Sequence, residues 1–184
     1  ADSSLRHAAA HLSVLELCAG RATKTILLQS DADRVFGTQI LDFTSLDNVG
    51  FKVKLLAERA KQYGIHIKDA ICADATKLAS LFPNRTFDCV FLDAPCTGLG
   101  TLRRHPEIRW RIEPSSITDA AALDSMLLAS AASVVAKDGI LVYATCTVTP
   151  QENEHSVLSF LKTDIGRHFK IVPIDAILDK GMDA

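Results

Sequence analysis

The stretch that decides the fold of this chain is Phe87-Asp88-Cys89-Val90-Phe91-Leu92-Asp93-Ala94-Pro95-Cys96. It joins a short apolar run to a segment of small and polar residues. A second stretch has the same form, with the apolar run Ile140 to Tyr143 followed by Ala144-Thr145-Cys146. Short runs that are apolar throughout are typical of buried strands in parallel sheets. Because ligands of open α/β sheets lie beyond the carboxyl ends of the strands, we expect Cys96 and Cys146 to reach the functional edge of one sheet.

Strands and helices alternate along the rest of the chain, which predicts a doubly wound, mostly parallel Rossmann-like α/β sheet with helices on both faces. The predicted strands are Val14–Leu17, Phe43–Leu46, Ile65–Cys72, Phe87–Leu92, Ile140–Tyr143 and Phe169–Val172. The predicted helices are one starting at Ile26, then 49–63, Lys77–Leu81, Ser116–Val135 and Pro150–Leu161. The predicted loops include the polar stretch Asp31–Gln39 and the turn Lys137–Gly139.

Composition narrows the class of protein. The chain has 184 residues, 48% of them apolar, which is enough for one globular domain with a core. Its formal net charge of -2 excludes a global basic field, so any nucleic-acid binding must rest on local patches. The five cysteines form no CxxC pair, which favours a reducing, cytoplasmic location and argues against a metal site. No apolar run is long enough to predict a membrane span.

The opening of the domain predicts a nucleotide-like cofactor site. The first strand runs into a small-residue loop, Cys18 to Lys24, and then a helix, which is the arrangement of doubly wound cofactor-binding folds. The loop is not GxGxxG, so spacing alone is a weak signal. Asp47, after the second strand, fits either a ribose contact or a helix cap. Asp74, after the third strand, fits either a contact with a base amine or a cap of the short helix that follows.

The most basic segment of the chain is Thr101 to Arg111. Its side chains suit phosphate contact and base stacking, which makes candidate RNA-binding residues of Arg103, Arg104, His105, Arg109 and Trp110. The alternative is a solvated loop whose tryptophan packs on the core. For Cys96 and Cys146 the alternative to catalysis is a pair of buried structural thiols.

A family resemblance covers roughly residues 14–162. The segments LELCAGRATKT, SLD, CADA, DAPCTGLG, RRHPEIRW and YATCTVTPQENE occur in this order. Together they resemble the Sun/Fmu-type RNA cytosine-C5 methyltransferases, and RRHP resembles the bacterial branch that acts on 16S ribosomal RNA. The resemblance implies S-adenosylmethionine as cofactor and an RNA substrate.

The resemblance also implies roles for individual residues. Cys146 matches the attacking nucleophile, Cys96 matches the cysteine that helps break the covalent adduct, and Asp93 would hold the target base or the cofactor. Asp47 would take the ribose hydroxyls and Asp74 the adenine. The methionine end of the cofactor would be wrapped by Cys18, Ala19, Gly20, Arg21, Ala22, Thr23 and Lys24.

Two departures from the family pattern lead to further expectations. The usual loop reads CAAPGGKT, whereas here Arg21 replaces the proline and Ala22 and Thr23 replace the glycines. These two fit if their φ angles are negative, and we expect weakened cofactor binding. Members of the family usually carry an RNA-binding domain ahead of the catalytic domain and a further C-terminal strand. We therefore expect residues 1–184 to be one catalytic domain without the upstream domain, with 1–13 as an N-terminal extension, an incomplete C-terminal strand region and weak RNA binding.

Three other functions compete with this one. A nicotinamide-dependent oxidoreductase is disfavoured because GxGxxG is missing and Asp93-Ala94-Pro95-Cys96 follows the fourth strand. A catalytically silent RNA-binding or assembly module would explain the altered loop, but not the presence of both cysteines. A DNA cytosine methyltransferase would be expected to attack with Cys96 rather than Cys146.

Overall fold

The computed structural model describes residues 12–36 and 41–173, which contain one five-stranded parallel sheet. The strands are β1 (Leu12–Leu17), β2 (Leu41–Asp47), β3 (Ile67–Cys72), β4 (Phe87–Asp93) and β5 (Val135–Ala144). Their order is β3-β2-β1-β4-β5, so the chain winds outward in one direction from β1 and then returns to its other side. This confirms the predicted doubly wound sheet, and the switch in direction lies between β1 and β4.

Helices cover both faces of the sheet. They are α1 (Thr23–Phe36), α2 (Gly50–Gln62), α3 (Leu78–Leu81), α4 (Pro114–Ala132) and α5 (Glu154–Leu161). Short 3-10 turns lie between them, one of them at Pro106–Trp110. No helix among the described residues combines the length and apolar character that crossing a bilayer requires.

Alternation along β1 separates the two faces. Leu15 and Leu17 are fully buried and pack in one cluster with Leu128 and Ala131 of α4. Glu16, between them, points the other way and contacts α1. Successive side chains of a strand point to opposite faces, so α1 and α4 lie on opposite sides of the sheet. Full burial of each leucine contributes about 1.5–3 kcal/mol to the stability of the fold. These contacts hold β1 in place and so fix the start of the loop that follows it.

The polar stretch from Asp31 is not a loop as far as Phe36, because it forms the last turns of α1. Ala32 is buried on the core side of the helix. Arg34 donates to Asp31 at 3.2 Å on the exposed side of the helix. Gln29 is fully buried, and its Nε2 donates to Asp33 Oδ1 at 2.7 Å. Such i,i+3 and i,i+4 pairs support a helix in spite of the polar sequence. Residues 37–40 lie outside the described residues.

Two predictions around β5 were wrong. The turn at Lys137–Gly139 lies within the strand, which starts at Val135 and changes register against β4 between Phe87 and Cys89. The predicted helix over Pro150–Leu161 is interrupted at Asn153, so that only Glu154–Leu161 is α-helical.

The predicted sixth strand at Phe169–Val172 does not form among the described residues. The apolar side chains there serve packing instead. The ring of Phe169 packs against Phe160 of α5, with 5.6 Å between the ring centroids.

Candidate active site

The pairing of β4 with β5 brings the two cysteines together. The register sets Asp93 opposite Ala144, and Ala94 N donates to Ala144 O at 2.8 Å just beyond it. The chain then turns on both strands, and the sulfur atoms of Cys96 and Cys146 lie 3.2 Å apart. The backbone N–H of Cys146 donates to Cys96 Sγ at 3.3 Å. The thiols therefore face each other at one end of the sheet, as the strand pattern predicts.

The two thiols differ in their surroundings. Cys146 is exposed, whereas Cys96 is half-buried. Burial, together with the contact to the Cys146 thiol, raises the pKa of Cys96 to about 11. Cys96 therefore keeps its proton at neutral pH, while Cys146 is open to a substrate. All five cysteines of the chain are free thiols.

Glycines allow the Cys96 loop to approach the Cys146 loop closely. Gly98 has φ +72°, and a Cβ placed on it would lie 3.9 Å from Cys146 Sγ. Gly100 N donates to Cys146 O at 3.1 Å, and a Cβ on Gly100 would come within 2.8 Å of that carbonyl oxygen. Side chains at these positions would separate the loops or strain the backbone.

The loop after β1 turns through three left-handed residues. Cys18, Gly20 and Ala22 have φ angles of 57°, 58° and 65°. The condition of a negative φ is therefore not met at Ala22, because the turn keeps the left-handed conformation that glycine would adopt more easily. Ala22 is fully buried and packs with Ala19 and Leu56 of α2. Burial also raises the pKa of Cys18 to about 12, so its thiol is neutral.

Asp47 ends β2 and holds the β1–α1 loop in place. Its Oδ2 accepts from Gly20 N at 3.0 Å and its Oδ1 from Val49 N at 2.9 Å. The side chain is buried, and Lys52 lies 3.8 Å away. Asp47 thus joins the β1–α1 loop to the chain before α2, but it is not the cap of that helix, whose N-cap is Val49. Each of its oxygens keeps a further lone pair for a ligand.

Asp74 is exposed beyond β3 and caps the turn that follows. Its Oδ1 accepts from Thr76 N at 2.9 Å and from the Thr76 hydroxyl at 2.7 Å. These hydrogen bonds hold the pKa of the carboxyl below its usual value. The geometry matches the cap interpretation.

Lys24 and Asp93 form an ion pair that connects α1 to the end of β4. Both side chains are partly exposed, so the pair borders the open edge of the sheet. Below it, Glu16 is fully buried and accepts from the hydroxyls of Thr25 and Ser45. Burial raises the pKa of Glu16 to about 7. An acid in the middle of β1 is thus part of the floor of the site.

Three acids that the sequence does not mark as site residues are fully buried: Glu16, Asp124 and Glu152. Glu16 and Glu152 lie inside segments that carry the family resemblance, LELCAGRATKT and YATCTVTPQENE. That membership was the available signal, because the spacing of the residues gives no sign that an acid in a polar segment will be enclosed.

The basic segment borders the thiols. Ile108 packs against Gly98, with its Cδ1 3.3 Å from where a Cβ would lie. A cavity of about 470 Å³ lies between the segment and α4, with Cys96 and Arg111 among its lining residues. Trp110 is 85% exposed, so it does not pack on the core. The remaining candidates for RNA contact are also exposed: Arg103, Arg104, His105 and Arg109.

Comparisons with known proteins identify the family of this chain. The model of the family described as 16S rRNA methyltransferase RsmB/F matches residues 6–181. A probable ribosomal RNA small subunit methyltransferase B of Bacillus subtilis (strain 168) is 38% identical over 119 residues, which cover 65% of this chain and 27% of that protein. The tRNA (cytosine(72)-C(5))-methyltransferase NSUN6 of Mus musculus is 34% identical over 164 residues, 82% of this chain and 32% of that protein.

Among solved structures, the crystal structure of PH0851 is similar to this chain, with a TM-score of 0.74 and 31% sequence identity. The match covers 86% of this chain and 35% of the PH0851 chain. The chain thus spans about a third or less of the length of the curated relatives described above.

Proposed function

The chain belongs to the 16S rRNA methyltransferase RsmB/F family, and on that premise we propose that it methylates C5 of a cytosine in 16S ribosomal RNA. The methyl donor is S-adenosylmethionine, and the reaction passes through a covalent bond between Cys146 and the base. The observation that carries this proposal is the 3.2 Å separation of the Cys96 and Cys146 sulfur atoms at the carboxyl ends of β4 and β5. The free thiols suit a cytoplasmic enzyme.

The residues around the β1–α1 loop fit the cofactor. Three carboxylates lie at the carboxyl ends of strands. Asp47 is the last residue of β2, Asp93 is the last residue of β4, and Asp74 lies two residues beyond β3. They accept the hydrogen bonds that an amino group, ribose hydroxyls and an adenine amine donate. Lys24 supplies a cation for a carboxylate. When bound, S-adenosylmethionine supplies an electrophilic methyl group on a sulfonium.

C5 of cytosine is a weak nucleophile, and addition of the Cys146 sulfur to the base makes it a stronger one. As a thiolate, the Cys146 sulfur would form a bond to C6, and the electron pair of the C5–C6 double bond would form the bond from C5 to the methyl carbon. The bond between that carbon and the sulfur of the donor would break, so that the donor leaves as S-adenosylhomocysteine, a neutral thioether. The C5 proton then leaves to a base, the C5–C6 double bond forms again, and the bond between carbon and sulfur breaks. Cys146 returns as a thiolate. Exposure at the sheet edge lets its sulfur reach a base in this way.

Cys96 is the group we assign to release of the product. Its sulfur lies beside that of Cys146, so a base attached to Cys146 is within its reach. Burial raises the pKa of Cys96 to about 11, so its thiol is protonated at neutral pH. Cys96 is the candidate acceptor for the C5 proton in its thiolate form, after its own proton has passed to water.

The basic segment supplies the contacts with RNA. Arg103, Arg104 and Arg109 are free to meet phosphates, and the exposed ring of Trp110 offers a stacking surface for an unpaired base. Single-stranded RNA suits this arrangement because its bases are open to stacking. The choice of 16S rather than transfer RNA rests on the family description.

Covalent trapping tests the proposal. RNA that carries 5-fluorocytidine cannot lose a proton from C5, so the wild-type chain with S-adenosylmethionine should form a stable adduct visible as a shifted band on a denaturing gel. Cys146→Ser should form none. Cys96→Ser should accumulate an adduct even on unmodified RNA. An exchange of these two phenotypes would refute the residue assignment.

A calorimetric titration with S-adenosylmethionine separates this function from its competitors. We expect binding of S-adenosylmethionine and none of a nicotinamide dinucleotide. A chain that binds RNA, but neither cofactor, would instead be a silent binding module.

A further inference from the structure

The acid of the Pro150-Gln151-Glu152 turn lies beneath the two cysteine loops. Glu152 is fully buried, yet its partners are hydroxyl and backbone donors. Its Oε1 accepts from Thr97 N at 2.7 Å. Its Oε2 accepts from the Thr97 hydroxyl at 2.7 Å and from the hydroxyls of Thr147 and Thr149. A carboxylate is costly to bury, so these hydrogen bonds must together compensate for lost hydration.

Two of these threonines directly follow the cysteines. Thr97 comes after Cys96 and Thr147 after Cys146. Their hydroxyl oxygens lie 2.9 Å apart, so one can donate to the other while the second donates to Glu152 Oε2. One carboxylate thus holds the residues next to both thiols. Its contacts join loops that are 50 residues apart in sequence.

The backbone of this acid is itself fixed from both sides. Tyr143 of β5 donates its hydroxyl to Glu152 O at 2.6 Å. The next residue, Asn153, accepts from the Thr145 hydroxyl at 2.7 Å and donates to Thr149 O at 2.8 Å. These hydrogen bonds attach the turn that carries Glu152 to β5 and to the Cys146 loop.

We propose that Glu152 is the positioning residue that holds the Cys96 and Cys146 thiols in contact. The inference deepens the proposed function and rests on it, since thiols in contact are what the adduct and its release require. The carboxylate touches neither sulfur and acts through Thr97 and Thr147. Without it, the two loops remain joined by Gly100 N and Cys146 O, by the contact between the Thr97 and Thr147 hydroxyls, and by Cys146 N and Cys96 Sγ. What is lost is the acceptor that the threonines next to both sulfurs share.

Cross-linking of the two thiols tests the contact without RNA or cofactor. Diamide takes the two thiol hydrogens and leaves a disulfide, and mass spectrometry of the peptides measures how fast Cys96 joins Cys146. The variant is Glu152→Gln, whose amide nitrogen, in place of Oε2, cannot accept from the three hydroxyls. Glu154→Gln is the matched control, because Glu154 is an exposed acid two residues further along. Dividing each rate by the rate at which iodoacetamide alkylates Cys146 removes differences in thiol reactivity.

We expect Glu152→Gln to slow cross-linking about tenfold, since outer contacts of this kind change site properties by about 10–100-fold. Glu152→Asp, which keeps the charge, should recover part of the rate, and Glu154→Gln should match the wild type. A rate for Glu152→Gln within twofold of the wild type would overturn the proposal. If Glu152→Gln gives no cooperative unfolding transition, Thr97→Val replaces it and is judged by the same criterion.

Methyl transfer separates this inference from the proposed function. In a chain that methylates RNA, Glu152→Gln should lower kcat about 100-fold and leave the KM for S-adenosylmethionine unchanged, because misplacement near 1 Å costs about that much. An unchanged kcat would overturn the role of Glu152 alone. A wild-type chain that forms no adduct would overturn the proposed function, and cross-linking would still decide whether Glu152 sets the thiol contact.

Discussion

Glu16→Gln should change how the stability of the protein depends on pH. Glu16 is fully buried in β1, where Oε2 accepts from Thr25 and Ser45 and Oε1 has no hydrogen-bond partner among the described residues. Burial is the main cause that raises its pKa from 4.5 to about 7. The folded protein therefore holds this proton up to a higher pH than the unfolded chain does.

The sign and size of the effect follow from that difference. The contribution of Glu16 to stability is complete below its unfolded pKa of 4.5 and is lost as the pH rises towards 7. A pKa of about 7 against 4.5 corresponds to about 3 kcal/mol of unfolding free energy. Glutamine cannot ionise, so the stability of Glu16→Gln relative to the wild type should rise by about 3 kcal/mol between pH 4 and pH 8. Any constant cost of the buried amide drops out of this comparison.

Urea denaturation of both proteins across this pH range measures the difference. Circular dichroism is the suitable signal, because the single tryptophan, Trp110, is already 85% exposed in the folded state. Burial also raises the pKa of Asp124 to about 6, but Asp124 titrates in both proteins and cancels. Stability curves that run parallel for variant and wild type would refute the assignment of a raised pKa to Glu16.

Three further substitutions test local geometry. Ala22→Gly should raise the unfolding free energy by about 0.5–1 kcal/mol, because the φ of 65° strains alanine more than the added flexibility of glycine costs; a loss of stability in urea denaturation would contradict the strain. Gly100→Ala should lower stability by about 1–3 kcal/mol and slow adduct formation, because its Cβ would meet Cys146 O at 2.8 Å; trapping at the wild-type rate would speak against this. Trp110→Ala should change stability by less than about 0.5 kcal/mol and weaken binding of single-stranded RNA about tenfold in a filter assay. Equal RNA affinity would remove Trp110 from the interface.

The strands at the centre of this sheet can be predicted from the sequence because the signal for each lies in a short stretch of neighbouring residues. Apolar runs of strand length locate β4 and β5, and the topology then brings Cys96 and Cys146 together. Val90 and Leu92 of β4 are fully buried as predicted, but the prediction of a buried β5 was wrong, because β5 lies at the edge of the sheet and its Ile140 is 59% exposed. Gly64 likewise marks the end of α2, where its φ is +67°.

The predictions that failed depend on tertiary partners. Phe169 to Val172 has the apolar character of a strand, but a strand also needs a neighbour, and the ring of Phe169 packs on Phe160 instead. The burial of Glu152 could not be predicted, because it depends on hydroxyls from another loop. The left-handed φ at Ala22 is imposed by the turn. It could not be predicted from the sequence, because alanine disfavours that conformation.

The register of β4 and β5 restricts how this protein can diverge. The sulfurs stand three residues beyond Asp93 on one strand and two beyond Ala144 on the other. One inserted residue advances an extended chain by about 3.3 Å, a shift as large as the gap between the sulfurs themselves. An insertion or deletion between Asp93 and Cys96, or between Ala144 and Cys146, is thus tolerated only with a matching change in the other segment. Functional descendants of this protein should keep both segment lengths, while residues on the surrounding surface change.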